Sequence, residues 1–570
     1  MTVVDERAEL LAGIAGQTLT SWLSRNAEEH PGSPALTWRD GESWRTLSWG
    51  GYRDRVEEVG AALVATGVEH GSRIAIMAGN RIEHVICDLA AVGVGAVPVS
   101  VYPTMSVEQV AYVAADAGVT LAVLADDVID RWRAVRDASS GLRIVALGDG
   151  AEGTVGWQEF VSAGSSALTG DPAIVARRAA RTDPSDPATV IYTSGTTGVP
   201  KGVVLSQANV AFLVAAFQRV VEFPPGFVNI SYLPLAHIAE RLFSHYIGLS
   251  RHGHTWFCPD PAGLPEVLLA SRPHAFLGVP RVWEKLRAAA EHGLAATGAD
   301  PAPAAVAEVR ARLGLDRCVV CLSGAAPMRL DVLEFWSRLG LLVQQVYGMT
   351  ETTGVATVHR PGDGTFGHVG PALPGVELRL LEGGEVTVRG PGVMTGYLGR
   401  PEDTAAVVDR DGWLRTGDLG ALDDAGRLRI VGRAKEIIVT SGGKNIAPVP
   451  IEAKIAEHPL VGQVCLVGDD RPYLVALVVL DPAALAPWAQ AHGVELTDVQ
   501  EAVADARVRA AVQGAIDAAN GGLSRPEQVR RFALLGREWT ADSGELTPSL
   551  KLRRAVVREK YAERIDELYR

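Results

Sequence analysis

The feature that most constrains the fold is an alternation of short apolar runs, rich in β-branched residues, with helical patterns. It begins at Arg73 with "RIAIMAG" and "RIEHVICDLAAVG" and continues through "AVPVSV", "SVEQVAYVAADAG" and "TLAVLA". Repeated strand–helix units of this kind build a largely parallel sheet covered by helices. The rhythm returns in "HAFLGVP", "CVVCLSG" and "LVQQVYG". We therefore predict an α/β fold whose strands end in ligand-binding loops.

Near residue 376 the sequence pattern changes to short strand-like segments separated by turns, such as "VELRLLEGGEVTVRG". At 570 residues the chain needs more than one core, because domains usually hold about 100 to 200 residues. We predict a large N-terminal domain of parallel sheets and helices over 1–432, with a β-rich lobe at about 376–432, and a small mobile α/β domain over 433–570. A single terminal helix is predicted to carry Val557, Tyr561, Ile565 and Leu568 on one face.

Charge and composition exclude several classes of protein. A net charge of −13 argues against a broad nucleic-acid surface, which needs a basic face. The acidic start "MTVVDERAELL" lacks the basic region of a signal peptide. The most apolar long segment, from Val85, contains Asp88 and Pro98 and falls short of the ~20 apolar residues that span a bilayer. We expect a cytoplasmic protein with no transmembrane segment and no nucleic-acid partner.

Cysteines are sparse and scattered, which indicates reduced thiols rather than a disulfide framework. They are Cys87, Cys258, Cys318, Cys321 and Cys465. Cys318 and Cys321 form a C-x-x-C within the strand-like "CVVCLSG". Since side chains alternate along a strand, we expect these two on opposite faces, and the chain offers no second pair to complete a zinc site.

The stretch "IYTSGTTGVPKG" at 191–202 has the composition of an anion-binding loop. It follows the strand pattern "ATVIY" and comes before the helical pattern "NVAFLVAAFQRVV". Glycines let backbone N–H groups turn inward, while hydroxyls and a lysine add donors and charge. The predicted phosphate-binding residues are Thr193, Ser194, Gly195, Thr196, Thr197, Gly198 and Lys201.

A P-loop NTPase is the obvious rival, because its motif G-x-x-x-x-G-K-[ST] also grips phosphate. Counting from Gly195, Pro200 stands where the second glycine belongs and Gly202 where the hydroxyl belongs. The P-loop interpretation therefore fails at two positions.

Further motifs follow in order along the chain. They are "LPLAHIAER" with His237, "LSGAAPM" with Gly324 and Ala325, "VYGMTETTG" with Tyr347, Gly348, Thr350 and Glu351, "GWLRTGDLG" with Asp418, "GRAKEIIVTSGGKNIAP" with Arg433, Lys435, Gly443 and Lys444, and "LTPSLKLRR" with Lys551. Together with the phosphate-binding loop, this ordered set resembles the adenylate-forming superfamily, which includes acyl-CoA synthetases, peptide-synthetase adenylation domains and luciferases. Leu550 stands where many members have a glycine before the lysine, and "LTPSLK" is most similar to long-chain fatty acid–CoA ligases.

The resemblance implies a role for each motif in the large domain. The loop from Thr193 to Lys201 would hold the β- and γ-phosphates of ATP. Glu351, with Thr193, would hold Mg²⁺, which prefers hard oxygen ligands. Thr350 would hydrogen-bond the α-phosphate, Tyr347 would stack on adenine beside Gly324, Ala325 and Gly348, and His237 would lie at the acid pocket.

The remaining roles fall on the last part of the chain. Asp418 would accept hydrogen bonds from the ribose hydroxyls, and Arg433 would be another nucleotide-binding residue. Lys551 would bridge the carboxylate and the α-phosphate in the transition state, with Lys444 and Arg553 as less favoured substitutes. Lys435 matches the hinge about which the small domain rotates, and Gly443 and Lys444 lie where relatives line the pantetheine channel.

The reaction implied is that of an ATP-dependent fatty acid–CoA ligase using ATP, Mg²⁺ and coenzyme A. Carboxylate and MgATP give acyl-adenylate and pyrophosphate, and the thiol of coenzyme A then gives acyl-CoA and AMP. Alternatives are a ligase that loads an acyl carrier protein or stops at the adenylate, a ligase for an aryl or other specialised acid, a simple ATPase, and a catalytically silent nucleotide-binding protein. Contact with a membrane surface is left open.

Overall fold

The computed structural model describes residues 2–138, 141–193, 199–294, 302–496, 498–540, 543–547 and 551–570. The chain folds into two compact units. The first comprises Met1–Arg379, Thr387–Arg415 and Asp424–Leu428. The second comprises Leu380–Val386, Thr416–Asp423 and Arg429–Arg570.

The strands, in chain order, are β1 Pro34–Asp40, β2 Ser43–Ser48, β3 Arg73–Met77, β4 Val97–Ser100, β5 Val119–Leu124, β6 Arg143–Ala146, β7 Val155–Gly156, β8 Pro187–Thr193, β9 Lys201–Ser206, β10 Val228–Ser231, β11 His254–Phe257, β12 Ala275–Leu277, β13 Val320–Ser323, β14 Val343–Tyr347, β15 Thr357–Val358, β16 Glu377–Leu380, β17 Glu385–Arg389, β18 Gly396–Tyr397, β19 Leu414–Leu422, β20 Leu428–Arg433, β21 Ile438–Val439, β22 Asn445–Ile446, β23 Val461–Val467, β24 Leu474–Leu480 and β25 Val529–Leu535.

The α-helices, in chain order, are α1 Val3–Gly13, α2 Leu19–Glu29, α3 Trp49–Ala65, α4 Ile82–Gly93, α5 Val107–Ala117, α6 Ile129–Ala138, α7 Trp157–Gly170, α8 Ile174–Ala179, α9 Gln207–Gln218, α10 Ile238–Glu240, α11 Ile247–Ser250, α12 Leu264–Ser271, α13 Pro280–Leu294, α14 Pro303–Arg312, α15 Leu330–Arg338, α16 Pro401–Val407, α17 Pro448–Ile455, α18 Pro482–Ala491, α19 Val499–Ala504, α20 Ala506–Asn520, α21 Arg554–Lys560 and α22 Ala562–Glu567. A π-helical segment, Arg241–Tyr246, lies between α10 and α11.

The largest sheet has the strand order β18-β9-β8-β4-β3-β5-β6-β7. From β8 to β7 its neighbours run parallel, as the strand–helix rhythm predicted, and the helices α4 and α5 connect its strands. Helix α4 is buried from His84 to Gly93, as expected of a helix that is apolar on nearly all sides. Helix α5 begins with a Ser106–Gln109 capping box and ends at Gly118, whose φ of 61° lies in the left-handed region.

Two features of this sheet were not anticipated. The predicted phosphate-binding loop leads into strand β9, not directly into a helix, and β9 pairs antiparallel with both β8 and β18. The sheet is therefore mixed at one edge. A three-residue apolar run, "VVL", is too short to distinguish a strand from the start of helix α9 by periodicity alone.

Three further four-stranded sheets have the orders β10-β11-β1-β2, β12-β13-β14-β15 and β16-β17-β19-β20. Strands β12, β13 and β14 run parallel, so their carboxyl ends lie at one edge. In the second unit, β23-β24-β25 form a sheet whose central strand, Leu474–Leu480, is buried along its length. The α/β class predicted from the sequence is observed, with mixed instead of purely parallel sheets.

The structure corrects two local predictions. Cys318 and Cys321 do not point apart, because β13 begins only at Val320, and their sulfurs lie 3.5 Å from each other. The predicted terminal helix is two short helices that meet at Tyr561. Its four apolar residues still pack in one cluster with Trp539.

Candidate active site

Strands β8 and β9 form the base of the predicted phosphate-binding loop. Thr193, the last residue of β8, pairs with Lys201, the first residue of β9. The loop's centre, Ser194, Gly195, Thr196, Thr197 and Gly198, lies outside the described residues. Near the loop's end, the Tyr112 hydroxyl donates to the carbonyl of Pro200 at 2.8 Å. The two ends of the loop are thus fixed by sheet pairing and by a side chain of α5.

Lys201 and Glu351 are connected through Tyr397. The phenol of Tyr397 donates to Glu351 Oε1 at 3.0 Å, and the Lys201 ammonium lies 5.0 Å from the centre of the Tyr397 ring. Lys201 Nζ also lies 3.1 Å from Asp403 Oδ1. Burial and the Glu351 carboxylate raise the pKa of Tyr397, so that its hydroxyl stays a hydrogen-bond donor. The predicted phosphate lysine and the predicted metal ligand therefore meet around one aromatic ring.

The segment that carries Glu351 is tightly packed. Thr350 to Thr352 form one 3₁₀ turn, and Thr350 and Glu351 are 9% and 6% exposed. A Cβ at Gly348 would lie 2.4 Å from the carbonyl oxygen of Gly354, so only glycine fits where the chain returns on itself. An isolated acidic residue in a sequence is usually a solvated surface residue, and the burial of Glu351 contradicts that interpretation.

The predicted adenine-binding segments lie at the carboxyl ends of neighbouring parallel strands. Gly324 and Ala325 follow β13, while Tyr347 ends β14. A Cβ at Gly324 would lie 2.7 Å from Val346 Cγ2, which brings the two segments into close contact. Ala325 has a φ of 68°, an uncommon conformation for a non-glycine residue. Tyr347 is half-buried beside this turn.

His237 precedes α10, and its Nδ1 accepts a hydrogen bond from the Ala239 amide at 3.2 Å. In a neutral ring the proton then lies on Nε2. Ile238 lies against Gly354, so the acid-pocket motif packs on the loop after β14. Glu240 is 2% exposed, its Oε2 accepts from the Leu233 amide, and burial raises its pKa to about 7.

In the second unit, Asp418 and Arg433 lie on the neighbouring strands β19 and β20 and form an ion pair. Arg433 Nε donates to Asp418 Oδ1 at 2.7 Å, and Asp418 is 5% exposed. The sequence motifs predicted both residues but not their contact. Lys435 is exposed and lies in the 3₁₀ turn Ala434–Glu436 that follows β20.

The loop between β21 and β22 carries Gly443 and Lys444. The Gly443 amide donates to the Thr440 carbonyl at 2.8 Å, and Gly443 has a φ of 77°. Lys444 Nζ lies 3.4 Å from Glu527 Oε1. Lys551 is exposed, while its amide and carbonyl both bond to Thr547. The main chain of this exposed residue is thus fixed to Thr547.

The donor set at Glu351 suits Mg²⁺, because a carboxylate held on one oxygen by a phenol retains acceptor capacity on hard oxygens. Another cluster, of His359, Asp363 and His368, has possible ligand atoms within 4.8 Å of one another. Both ring nitrogens of His368 have partners, the Gly370 amide and the Thr365 hydroxyl. Imidazole nitrogen is also a poor ligand for Mg²⁺. Of the two groups, the carboxylate of Glu351 is therefore better suited to Mg²⁺.

Tyr397 is a candidate site residue that the motifs missed. It lies 46 positions after Glu351 in the sequence, and no periodicity links the two. The only sequence signal at this position was the glycine before Tyr397, in "MTGYLG". Such a glycine indicates a close approach of two backbone segments more readily than a ligand-binding residue. Asp403 and Tyr112 were missed for the same reason.

Comparisons with known proteins cover nearly the whole chain. A family model described as "AMP-binding enzyme" matches residues 23–398, and one described as "AMP-binding enzyme C-terminal domain" matches residues 435–570. The chain is similar to the long-chain-fatty-acid–CoA ligase FadD15 of Mycobacterium bovis, with 34% identity over 92% of each protein. It is also similar to the long-chain-fatty-acid–CoA ligase heimdall of Drosophila melanogaster, with 31% identity over 100% of this chain and 97% of the relative.

Among solved structures, the adenylation domain of a carboxylate reductase from Mycobacterium chelonae has a TM-score of 0.78 and 23% identity, covering 100% of this chain and 94% of that one. The anthranilate CoA ligase AuaEII, with anthranoyl-AMP, has a TM-score of 0.79 and 19% identity, covering 97% and 98%. At these identities the structures show the fold alone. Among the described residues, no helix has the length and apolar character needed to cross a membrane.

Proposed function

The chain belongs to the AMP-binding enzyme family, and from this premise we propose that it is a fatty acid–CoA ligase that forms an acyl-adenylate and then an acyl-CoA. Membership confirms the resemblance drawn from the ordered motifs. The fatty acid substrate is supported by the two relatives named as long-chain-fatty-acid–CoA ligases, which match along most of their length.

The observation that carries the proposal is the connection of Lys201 to Glu351 through Tyr397. It supports a site in which a cation for phosphate oxygens and a carboxylate for Mg²⁺ act on one triphosphate. Bound Mg²⁺ would neutralise charge on the phosphates of ATP. Lys201, beside the described ends of the loop, would hold the β- and γ-phosphates as the leaving pyrophosphate.

The acid would be activated where the segments after β14 and before α10 meet. The Thr350 hydroxyl and the Nε2 proton of His237 would donate to oxygens of the α-phosphate and of the carboxylate. Lys551 would supply positive charge as negative charge gathers at the α-phosphorus; donors of this kind contribute about 3 to 4 kcal/mol. Tyr347, beside Gly324 and Ala325, would pack on the adenine.

The second unit would supply the remaining contacts. Asp418, oriented by Arg433, would accept hydrogen bonds from the ribose hydroxyls. We propose that a small domain over 433–570 rotates about Lys435 between the two half-reactions, as in hinge-gated enzymes. The loop with Gly443 and Lys444 would then lie along the pantetheine arm of coenzyme A.

Product analysis tests the proposed function. Purified protein is incubated with MgATP and a panel of medium-chain, long-chain and aryl acids, with and without coenzyme A. We expect acid-dependent release of pyrophosphate and AMP, and acyl-CoA formation with fatty acids. Release of phosphate would indicate a simple ATPase, and the absence of turnover with every acid would indicate a silent nucleotide-binding protein.

The thiol acceptor is decided by the same assay. Pyrophosphate and adenylate without acyl-CoA would contradict the coenzyme A half-reaction and favour an acyl carrier protein as acceptor. Preference for aryl acids would contradict the fatty acid assignment and leave the ligase mechanism standing. The cytoplasmic location stays a prediction.

A further inference from the structure

Arg554, in the last part of the second unit, bonds to two carboxylates. Its Nη1 and Nη2 donate to the two carboxylate oxygens of Glu452 at 2.6 and 2.5 Å, and its Nε lies 3.4 Å from Glu436 Oε2. The Arg554 side chain is 16% exposed and the Glu452 side chain 11%. A bidentate guanidinium–carboxylate pair of this kind fixes direction as well as distance.

Glu452 is itself fixed to the body of the unit. It lies on α17, and its Oε1 accepts from the Leu466 amide on β23 at 2.7 Å. Glu436 ends the turn that carries Lys435. Arg554 therefore joins three separate pieces of the second unit: helix α17 with strand β23, the turn after β20, and the start of α21.

Lys551 lies three residues before Arg554, on a narrow arch of chain. The Thr547 amide donates to the Lys551 carbonyl at 2.8 Å, and the Arg553 amide donates to the Glu545 carbonyl at 2.7 Å. Leu546 and Leu552 face each other in an antiparallel bridge. The two arms of the arch, 545–547 and 551–553, are thus paired.

Each arm of the arch is anchored by a different ion pair. The outgoing arm is held by Glu545, which is 3% exposed and whose Oε1 lies 3.2 Å from Lys560 Nζ. The returning arm continues directly into Arg554. In the outgoing arm Glu545 and Thr547 are buried, while in the returning arm Lys551 and Arg553 are exposed and only Leu552 packs against the cluster around Trp539. Arg554 is therefore the side-chain anchor at the point where the returning arm enters α21.

We propose that Arg554 is a positioning residue for Lys551, acting through its buried pair with Glu452. The inference rests on the proposed function, in which Lys551 acts in acyl-adenylate formation. Loss of the pair would remove the anchor at the base of the returning arm and shift the lysine, while the arm stays paired with 545–547 and the loop with Gly443 keeps its own bonds to Thr440. Arg554 thus serves the first half-reaction selectively.

The test compares the two half-reactions in Arg554→Gln, with Arg558→Gln as the matched control. Arg558 lies one turn later on α21, pairs with Asp469 and is 45% exposed. Acid-dependent exchange of pyrophosphate into ATP reports adenylation, and thioester formation from supplied acyl-adenylate reports thiolation. We expect kcat for exchange to fall about 10- to 100-fold in Arg554→Gln, as a misplaced catalytic group would. The KM for ATP and thiolation should change by less than about 3-fold, and Arg558→Gln should resemble wild type.

Two further variants separate positioning from folding. Arg554→Lys keeps the positive charge but cannot bond to both carboxylate oxygens of Glu452 in the bidentate way. We expect a smaller loss of pyrophosphate exchange that is equally selective for the first half-reaction. This variant replaces Arg554→Gln in the test if Arg554→Gln does not fold. Adding Glu452→Gln to Arg554→Gln should cause no further loss of exchange, because the pair is already broken. Equal losses in both half-reactions, or unchanged exchange, would overturn the inference. Absence of acid-dependent exchange in wild type would instead overturn the proposed function.

Discussion

Tyr397 shows how one uncharged side chain can organise two charged ones. Its ring lies beside the Lys201 ammonium and its hydroxyl holds one oxygen of Glu351. A cation over an aromatic ring is attracted by the ring's negative face, and this attraction does not consume the acceptor oxygens of Glu351. The ring brings Lys201 and Glu351 together without an ion pair between them. The ion pair that Lys201 makes, with Asp403 at 3.1 Å, is the contact that a bound phosphate would replace.

Tyr397→Phe should therefore weaken the binding of Mg²⁺ selectively. Phenylalanine keeps the ring under Lys201 but cannot donate to Glu351. We expect the Mg²⁺ concentration at half-maximal adenylation to rise about 10-fold, in the range seen when a hydrogen bond to a metal ligand is removed. The measurement is pyrophosphate exchange as a function of Mg²⁺.

Tyr473→Phe is the control, since the Tyr473 hydroxyl donates to the Leu568 carbonyl within the second unit and has no part in the proposed Mg²⁺ site. It should leave the Mg²⁺ dependence unchanged. A wild-type Mg²⁺ profile in Tyr397→Phe would show that the phenol does not orient the metal ligand.

Glu240 gives a prediction for stability against pH. Burial raises its pKa from 4.5 to about 7, so the folded state holds this proton more tightly than the unfolded chain does. Its contribution to stability is fully present below pH 4.5 and is lost as the pH rises through about 7. In Glu240→Gln, whose amide mimics the protonated carboxyl, the free energy of unfolding relative to wild type should increase with pH across this window, by about 3 kcal/mol at most.

Urea unfolding of both proteins between pH 5 and pH 8 provides the measurement. Glu563→Gln, at an exposed position on α22, is the control and should differ from wild type by a constant amount. A pH-independent difference between Glu240→Gln and wild type would contradict a raised pKa for Glu240.

The sequence identified most of these residues by the order of motifs, not by local chemistry. Glu351 and Asp418 are 6% and 5% exposed, yet nothing in their immediate neighbours distinguishes them from surface acids. Their contacts, Tyr397 to Glu351 and Arg433 to Asp418, join positions 46 and 15 residues apart. Such pairs depend on which strands become neighbours, and a single sequence does not specify that.

At the scale of elements, the βα rhythm predicted β3, β4 and β5 with helices α4 and α5 between them, because helical and strand periodicities differ clearly over runs of this length. Short strands at the edge of a sheet were harder to predict from the sequence. Strand β9 has six residues, and β18 has two. The C-x-x-C prediction was wrong since it assumed a strand from Cys318, whereas β13 starts two residues later.

The loop after β14 gives the prediction at this scale. A Cβ at Gly348 would lie 2.4 Å from the Gly354 carbonyl oxygen. Gly348→Ala must therefore push apart the two segments of the loop that meet there. Overpacking of this kind typically costs about 1 to 3 kcal/mol, and here it would displace Tyr347 and Thr350. We expect kcat/KM for ATP to fall at least about 10-fold in pyrophosphate exchange.

Gly514→Ala is the matched control, because Gly514 lies within α20 and a Cβ there meets nothing within 4 Å. It should keep full activity and gain slightly in stability, since alanine favours helix over glycine. Full activity in Gly348→Ala would show that the turn relaxes without moving the adenine-binding residues.

At the scale of the whole molecule, the fold and the family could be recognised from the sequence, because the motifs occur in order along the chain. The two compact units each carry part of the predicted site: Lys201, Glu351 and His237 in the first, and Asp418, Gly443 and Lys551 in the second. On a chain with a net charge of −13, the anionic substrates of the proposed reaction would need positive side chains close to them. The side chains proposed for this role are Lys201 in the first unit and Arg433, Lys444 and Lys551 in the second.

If one small domain serves two half-reactions with two different segments, substitutions in those segments should have opposite selectivity. Lys551→Ala removes the charge proposed for adenylation and should lower pyrophosphate exchange at least about 100-fold, the loss expected for a transition-state donor, with thiolation of supplied adenylate nearly intact.

Gly443→Ala places a side chain at a φ of 77°, where L-residues cost about 1 to 2 kcal/mol. It should lower thiolation and spare exchange. Gly442→Ala, at a neighbouring glycine without positive φ, is the control for the second variant. Parallel losses in both half-reactions for both variants would mean that a single arrangement of the domain performs the whole reaction, and rotation about Lys435 would then have no part in it.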